Sequence, residues 1–529
     1  MNLLSADNAE MHRAPNRGMS APLNRMLNDY IRKGQTKEAR KLFDESPESR
    51  DIVTWNSMIS AYIRNNQIQH AHQLFDTMPE RDVVSWNTML SGFQRVNDLE
   101  IVVGYFVQMG RVGIKPSEFT LATVISSISS NCSFSYSLLM QQVHGQAISL
   151  GFNLSVFVGS ALIGGYEKLG CKIGFCKVFD EILVKDVTSW NALILGYMNL
   201  GFVDEGCKAF EMMPERNVVS WTSLVNGLIK NRKLDEGRLW FDRMPEKNTV
   251  SWTVMISGYE RNGLFMDALE LFVLMWKLGV PPNQFTFSSV VSACAGCSSL
   301  VFGMQVHLNI LKSGMPVDVI LSSSLVDMYA KCGDINVAVG IFEDIPIKNL
   351  ECWNSIIGGY ARHGYGIQAL EEFERMKGQG HKPDQITFVN VLSACAHGGL
   401  VEEGELHFES MERMYGIQAE KEHYACMVDL YGRSGHLEKA ENLIRSMPLE
   451  PDVVVWGAML GACGMHSSLG FALFAAEEMY KLEKDHPAMY SLLSKIHGDK
   501  GGWSRVIEMR KMMKQVGAKK QTASSWIES

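Results

Sequence analysis

The chain has 529 residues, of which 46% are hydrophobic and 20% charged, with a formal net charge of −8. That composition belongs to a folded chain rather than a disordered one, and the length calls for several domains or one repeat array. No apolar run is long enough to span a bilayer, and the negative balance excludes a grip on nucleic acid through bulk positive charge, though not the reading of bases. Eleven cysteines at irregular spacing argue against a disulfide framework and for a reducing compartment.

The first 19 residues, MNLLSADNAEMHRAPNRGM, carry Arg13 and Arg17 beside Asp7 and Glu10. They read either as a targeting remnant or as a plain disordered leader. After them tryptophan keeps time. Trp55 and Trp86 are 31 residues apart, as are Trp190 and Trp221, and Trp221 and Trp252. Each sits in the same context, as in VVSWNTMLSGF, VTSWNALILGY and VVSWTSLVNGL, and the context returns around Trp353 and Trp456. A fixed period in this range means a repeat array.

One unit, residues 52 to 82, predicts two helices. Trp55, Met58, Ile59 and Tyr62 have the spacing of one helical face, a polar turn follows at 64 to 67, and Ala71, Leu74, Phe75 and Met78 form a second face. Pro79 is read as the stop of the second helix, because proline lacks the amide donor, and Pro214, Pro245, Pro346 and Pro448 recur in the same place. A single hairpin cannot bury its own apolar faces, but stacked neighbours can. The expected fold is an all-α solenoid with the tryptophans in the core between helices.

VVSWNTMLSGF, LFDTMPERD, MYAKCGDINVA and ITFVNVLSACAHGGLVEEG resemble plant pentatricopeptide repeat proteins of the PLS subclass. The resemblance covers roughly residues 20 to 529, and short, standard and long repeats alternate in the family's order. It implies a right-handed solenoid of about 13 repeats. The units are read as 20–51, 52–82, 83–117, 118–155, 156–186, 187–217, 218–248, 249–283, 284–318, 319–349, 350–384, 385–420 and 421–452. The array thus spans 20–452. Residues 453–520 resemble the family's E region, with VVVWGAMLGAC and YSLLSKIHGDKGGW, and 521–529 form a C-terminal tail. A deaminase domain, which many relatives carry, is not read in this chain.

The family reads single-stranded RNA at about one base per repeat, through the fifth and last residues of each unit. An aspartate in last place accepts, which suits the N–H edge of U or G. An asparagine there also donates, which suits A or C. Carried over residue by residue, Asn24 with Asp51 and Asn56 with Asp82 imply U. Asn87 with Ser117 departs from the common pairs and implies a pyrimidine. Ser160 with Asp186 implies G, and Asn191 with Asn217 implies C, or U less often. Thr222 with Asn248, Thr253 with Asn283, and Ser323 with Asn349 imply A, and Asn354 with Asp384 implies U. Glu351 stands where the family usually has an aliphatic residue against the base. Ala122, Ser288 and Val389 in the long repeats imply no base, and Ala425 with Asp452 stays open. The competing reading of each last residue is a helix N-cap, where Asp and Asn are favoured anyway.

Two fragments mimic a zinc deaminase. His407-Phe408-Glu409 matches its HxE, and Cys294-Ala295-Gly296-Cys297 its CxxC, but the order is reversed and no proline precedes the cysteines. These cysteines, with Cys332, Cys395 and Cys426, are read as small packing groups. His144 and His307 occupy matching places in two long repeats and are read as repeat features. No catalytic residue, metal site or cofactor is expected. Residues 385 to 485 carry 16 acids and 7 bases, and 486 to 520 carry 2 acids and 8 bases, giving an acidic stretch suited to protein docking and a basic tail.

What the resemblance implies is a site-recognition factor for C-to-U editing of organellar transcripts, without an enzyme activity of its own. Its partners would be single-stranded RNA, a deaminase-bearing relative acting in trans, and multiple-site editing factors that bind long repeats; no membrane is involved. The mitochondrion is the expected compartment, with the chloroplast as the alternative. Two other readings stay open: RNA stabilisation, splicing or translation without editing, and a scaffold that binds only proteins.

Overall fold

The computed structural model describes residues 17–131, 136–152, 154–466, 468–483 and 486–515. The expected leader falls mostly outside them, as do the last residues of the E region and the C-terminal tail. The described residues form thirty α-helices and one short 3-10 turn, with no strand among them. The chain divides into two compact units, Met1–Lys247 and Asn248–Ser529. Each is a stack of antiparallel helix pairs, and the all-α repeat fold is the one expected.

One pair shows why. Ile52–Arg64 begins at Asp51, whose carboxylate accepts from the Thr54 amide at 2.8 Å while the Asp51 amide donates back to the Thr54 hydroxyl at 3.2 Å. This reciprocal cap satisfies two backbone donors that the first turn would otherwise leave open. Met58, Ile59 and Tyr62 are buried on one face. The helix then turns through Asn66, whose φ of 57° is left-handed and which asparagine tolerates better than most residues. Ile68–Asp76 returns with Ala71, Leu74 and Phe75 buried, followed by Met78. Most pairs use glycine at this turn, but Arg232 and Ser298 also take it, at φ 61° and 53°.

The second helix stops before its proline, not at it. Met213, Met244, Ile345 and Met447 lie just before Pro214, Pro245, Pro346 and Pro448, and all four are extended, with ψ between 116° and 134°. The proline ring disfavours helical backbone in the residue ahead of it, so the helix has already ended.

Two repeated contacts join one pair to the next. The phenylalanine of a second helix meets the tryptophan of the following first helix edge-on. Centroids are 4.9 Å apart for Phe43 and Trp55, 5.0 Å for Phe75 and Trp86, and 5.0 Å for Phe342 and Trp353. A basic residue then lies over the same phenylalanine and donates to carbonyls at the end of that second helix. Arg81 sits 4.8 Å from the Phe75 ring and bonds the Phe75 and Asp76 carbonyls at 3.0 and 2.9 Å. Since Arg81 immediately precedes the Asp82 cap, the contact fixes where the next first helix begins. The tryptophans pack between helices as expected, but to different depths. Trp86, Trp252, Trp353 and Trp456 are buried, whereas Trp55, Trp190 and Trp221 are only partly covered.

Candidate nucleic-acid interface

Within each unit successive first helices pack side by side, so the fifth residue of one approaches the cap and third residue of the next. Four of the expected pairs are in direct contact. Asn24 Nδ2 donates to both oxygens of Asp51 at 3.2 Å. Asn354 Nδ2 donates to Asp384 at 3.2 Å, Asn87 Nδ2 to the Ser117 hydroxyl at 3.2 Å, and Asn56 Nδ2 to Asp82 at 3.5 Å. Burial pushes the Asp82 carboxyl up, but hydrogen bonds from the Ser85 hydroxyl and amide and from Asn56 outweigh it and hold the group below the ordinary carboxylate range.

The other pairs that lie within one unit are not bonded to each other. Ser160 Oγ and Asn191 Oδ1 are buried without a hydrogen-bond partner, opposite Asp186 and Asn217. Thr253 donates to the Thr249 carbonyl at 2.7 Å rather than to Asn283. Ser323 is only 6% exposed and donates to the Ile320 carbonyl, while Asn349 Nδ2 reaches Glu351 at 3.4 Å. Thr222 bonds the Val218 carbonyl at 2.7 Å in the first unit, and Asn248 caps Thr249–Arg261 in the second.

Every last-place residue of these pairs is an N-cap, and in all nine the side-chain oxygen accepts from the third amide of its helix. The capping alternative is therefore real, and it also has a consequence for recognition. The amide to be capped is a donor, so an asparagine must turn Oδ1 towards it. Asn217, Asn248 and Asn283 do so at 2.9, 3.0 and 2.8 Å. What remains is Nδ2, a donor. An aspartate capped through Oδ1 presents Oδ2, an acceptor, which at Asp51 also takes a hydrogen from Asn24. Capping thus assigns the polarity that the residue presents elsewhere.

Around these side chains the surface has a repeated form. The second residue of nearly every first helix is a large apolar group held in solvent: Val53 and Val84 are each 57% exposed and Phe119 is 50% exposed. Val219, Val250, Phe285 and Ile386 continue the series, and Glu351 interrupts it. A cleft of about 300 Å3 lies between Val53 and Val84, lined also by Asn56, Asp82 and Arg64. The next, about 310 Å3, lies between Val84 and Phe119, with Asn87 and Arg95. Each offers two apolar walls, a polar floor and a cation at the rim, a form that fits a flat ring with an anionic tether.

Sequence reasoning missed the cations. Arg64, Arg95, Lys168, Lys230, Arg261, Lys331 and Arg362 all close the last turn of a first helix, and all are exposed. Net charge concealed them; the helical register, the thirteenth residue each time, would have found them. The remaining candidates are structural. His144 and His307 bond Tyr166 and Tyr329 hydroxyls at 3.0 and 2.9 Å in matching geometry. Cys294 is buried, its thiol pushed well up by that burial, and His407 packs edge-on against Phe373 in a different helix pair.

Comparison with known proteins finds the same repeats. A model described as the PPR repeat family matches residues 50–83, 247–296 and 348–397. A PPR repeat model matches 23–50, 84–114, 188–218, 219–249, 321–350, 386–415 and 422–450. An E motif model matches 466–528. A mitochondrial pentatricopeptide repeat-containing protein of Arabidopsis thaliana is 34% identical over 97% of this chain and 65% of its own length. Another pentatricopeptide repeat-containing protein from that plant, whose name gives no compartment, is 36% identical over 95% of this chain and 41% of its own. The chain thus spans between about two fifths and just under two thirds of these relatives. The crystal structure of the maize pentatricopeptide repeat protein PPR10 superposes with a TM-score of 0.51 at 18% identity, covering 94% of this chain and 79% of that one, a likeness of fold.

Proposed function

Because the chain belongs to the pentatricopeptide repeat family and carries an E motif behind its repeats, we propose that it is a sequence-specific single-stranded RNA-binding protein that selects sites for C-to-U editing of organellar transcripts. One observation carries the RNA reading: successive clefts such as those at Asn56 and Asn87 repeat the same two apolar walls, polar floor and rim cation. A base stacks between the walls, its edge meets the fifth and last residues, and the rim cation meets phosphate. In this reading the array is 20–452 and the E region 453–520. From the 5′ end the bases are U, U, pyrimidine, any, G, C, A, A, any, A, U.

The polarity argument makes the assignment chemical. Asn248 and Asn283, capped through Oδ1, direct a donor at adenine N1. Asp51, Asp82 and Asp384 direct an acceptor at the N–H of uracil. The E motif favours editing over stabilisation or splicing, and the acidic stretch 385–485 suits a protein partner. That partner supplies the deaminase in trans, and editing factors dock on long repeats. The mitochondrion is the compartment we propose, in line with the printed description of one relative. Sequencing organellar cDNA from a null line tests this: loss of one or a few C-to-U sites downstream of the stated base pattern is expected, and unaltered editing at every site would refute it.

A further inference from the structure

Among the described side chains the third residue of the first helices is buried throughout, and where it is threonine or serine the two behave differently. Thr54, Thr120, Thr286 and Thr387 are each 0% exposed. Each accepts from the cap amide, and each also reaches back to the fifth residue of the preceding repeat. Thr54 Oγ1 sits between Asn24 Oδ1 and its own cap oxygen Asp51 Oδ1, 2.7 Å from each, and Thr387 sits likewise between Asn354 Oδ1 and Asp384 Oδ1. Thr120 lies 2.6 Å from Asn87 Oδ1 and 2.9 Å from the Ser117 hydroxyl, and Thr286 2.7 Å from the Thr253 hydroxyl and 2.9 Å from Asn283 Oδ1. Ser85, Ser189 and Ser220 occupy the same place with the same burial, yet none reaches back. Their hydroxyls meet only their own cap, as the threonines also do, and nothing beyond it: Ser85 meets Asp82 Oδ1 at 2.7 Å, Ser189 the Asp186 carbonyl at 2.8 Å, Ser220 Asn217 Oδ1 at 3.0 Å.

The amides across the boundary follow the same division. Opposite threonine, Asn24, Asn87 and Asn354 all donate to the last-place residue at 3.2 Å. Opposite serine, Asn56 donates at 3.5 Å and Asn191 does not donate to Asn217 at all. The amide oxygens of both are buried with no partner. Threonine is stiff about χ1 because of its second γ substituent, so its hydroxyl is held between the two repeats, whereas serine rotates.

We propose that the third residue of each first helix is a positioning residue for recognition: threonine holds the fifth-place asparagine of the preceding repeat at both ends of its amide, and serine leaves its oxygen end unheld. The inference rests on the base-reading function proposed above. A locked amide shows the base one fixed donor. An amide whose oxygen has no partner is held at its NH2 end alone, at Asn56 by one 3.5 Å bond, so it swings more freely before the base and discriminates less. Asn24 with Asp51 and Asn56 with Asp82 are the same pair of residue types, so they isolate the effect: the first stands opposite Thr54, the second opposite Ser85.

The test uses the full chain with Thr54→Ser and Ser85→Thr. Either hydroxyl keeps the capping box, so both variants retain the fold. Binding is titrated with single-stranded RNA oligonucleotides that vary all four bases at the position facing Asn24 or Asn56. In wild type, preference for U over the worst base is expected to be sharper at Asn24. Ser85→Thr should raise that ratio at the Asn56 base about three- to tenfold, the worth of one net hydrogen bond, and Thr54→Ser should lower it similarly at the Asn24 base. Ratios at the other bases should stay put. A purely structural role shifts the melting temperature, or affinity at all bases alike, and leaves the ratios unchanged; that result overturns the proposal while the base-reading function stands. Wild type with no preference at either base would bring down base reading itself, and this inference with it.

Discussion

The Phe210 ring meets Trp221 edge to face, with centroids 4.9 Å apart and planes at 74°. Trp240 lies 5.9 Å from the same indole, so one aromatic cluster joins a second helix, the next first helix and its own return helix. Trp221→Ala therefore opens a gap at a repeat junction. The expected loss is about 2–4 kcal/mol, at the lower side of large aromatic deletions because Trp221 is only partly covered. Trp86→Ala, at 0% exposure, should cost more. Since repeats couple to neighbours, hydrogen exchange after Trp221→Ala should quicken in helices Val203–Met212 to Leu234–Arg243 first. Uniform quickening along the chain would contradict this.

Arg232 turns at φ 61°, where glycine serves in most other repeats. A non-glycine residue in that region carries backbone strain, so Arg232→Gly should stabilise the protein by about 0.5–1 kcal/mol despite added chain entropy in the unfolded state. Gly263→Ala, at φ 74° in open space, should do the reverse. Denaturant midpoints for the two variants moving the same way would refute the account of the turn.

Asp82 gives a pH signature. Its folded value lies below the ordinary 3.8, since hydrogen bonds from Ser85 and Asn56 outweigh burial. A depressed carboxylate contributes its stability fully above the unfolded value and loses it as pH falls through the folded one. Asp82→Asn still caps, but does not titrate. The stability difference between wild type and Asp82→Asn should be constant near neutrality and move against wild type below about pH 4. Thermal melts that keep the same difference down to pH 2.5 or so would show that the carboxylate is not favoured by its cap.

The rim cations predict salt dependence. Arg64→Gln should weaken RNA binding at every sequence alike and reduce the slope of log K against log salt by about 0.7 to 1. A change in base preference without a change in slope would remove Arg64 from the phosphate contact assigned to it.

The fold was legible because it is written locally. Trp86 and its context state the period, and Met58, Ile59 and Tyr62 state the face, all within one helix. The expected pairs Asn24 with Asp51 and Asn354 with Asp384 do stand together, since the repeat register alone brings them there. What was not legible depends on the neighbouring repeat. Thr54 carries no signal of its own in the sequence, and only the structure shows Asn24, 30 positions earlier, against its hydroxyl. Trp221 reads like Trp86, but how far each indole is covered depends on packing beyond its own helix. Pro79 reads as a stop, although the chain has left the helix at Asp76.

The most direct measurement is the base preference set by Asn248. Its Oδ1 caps through the Ser251 amide at 3.0 Å, so Nδ2 is the end available to a base. Asn248→Asp keeps the cap, since the two residues cap about equally well, and exchanges a donor for an acceptor. Four single-stranded RNAs differing only at the base assigned to Asn248 are titrated against wild type and variant. The account predicts A preferred by wild type and a shift towards G in Asn248→Asp, by about 1–3 kcal/mol of discrimination, the scale of a good base-edge contact. The same rank order of the four bases for both proteins would mean that Asn248 only caps its helix, and would contradict the assignment of base-reading residues throughout the array.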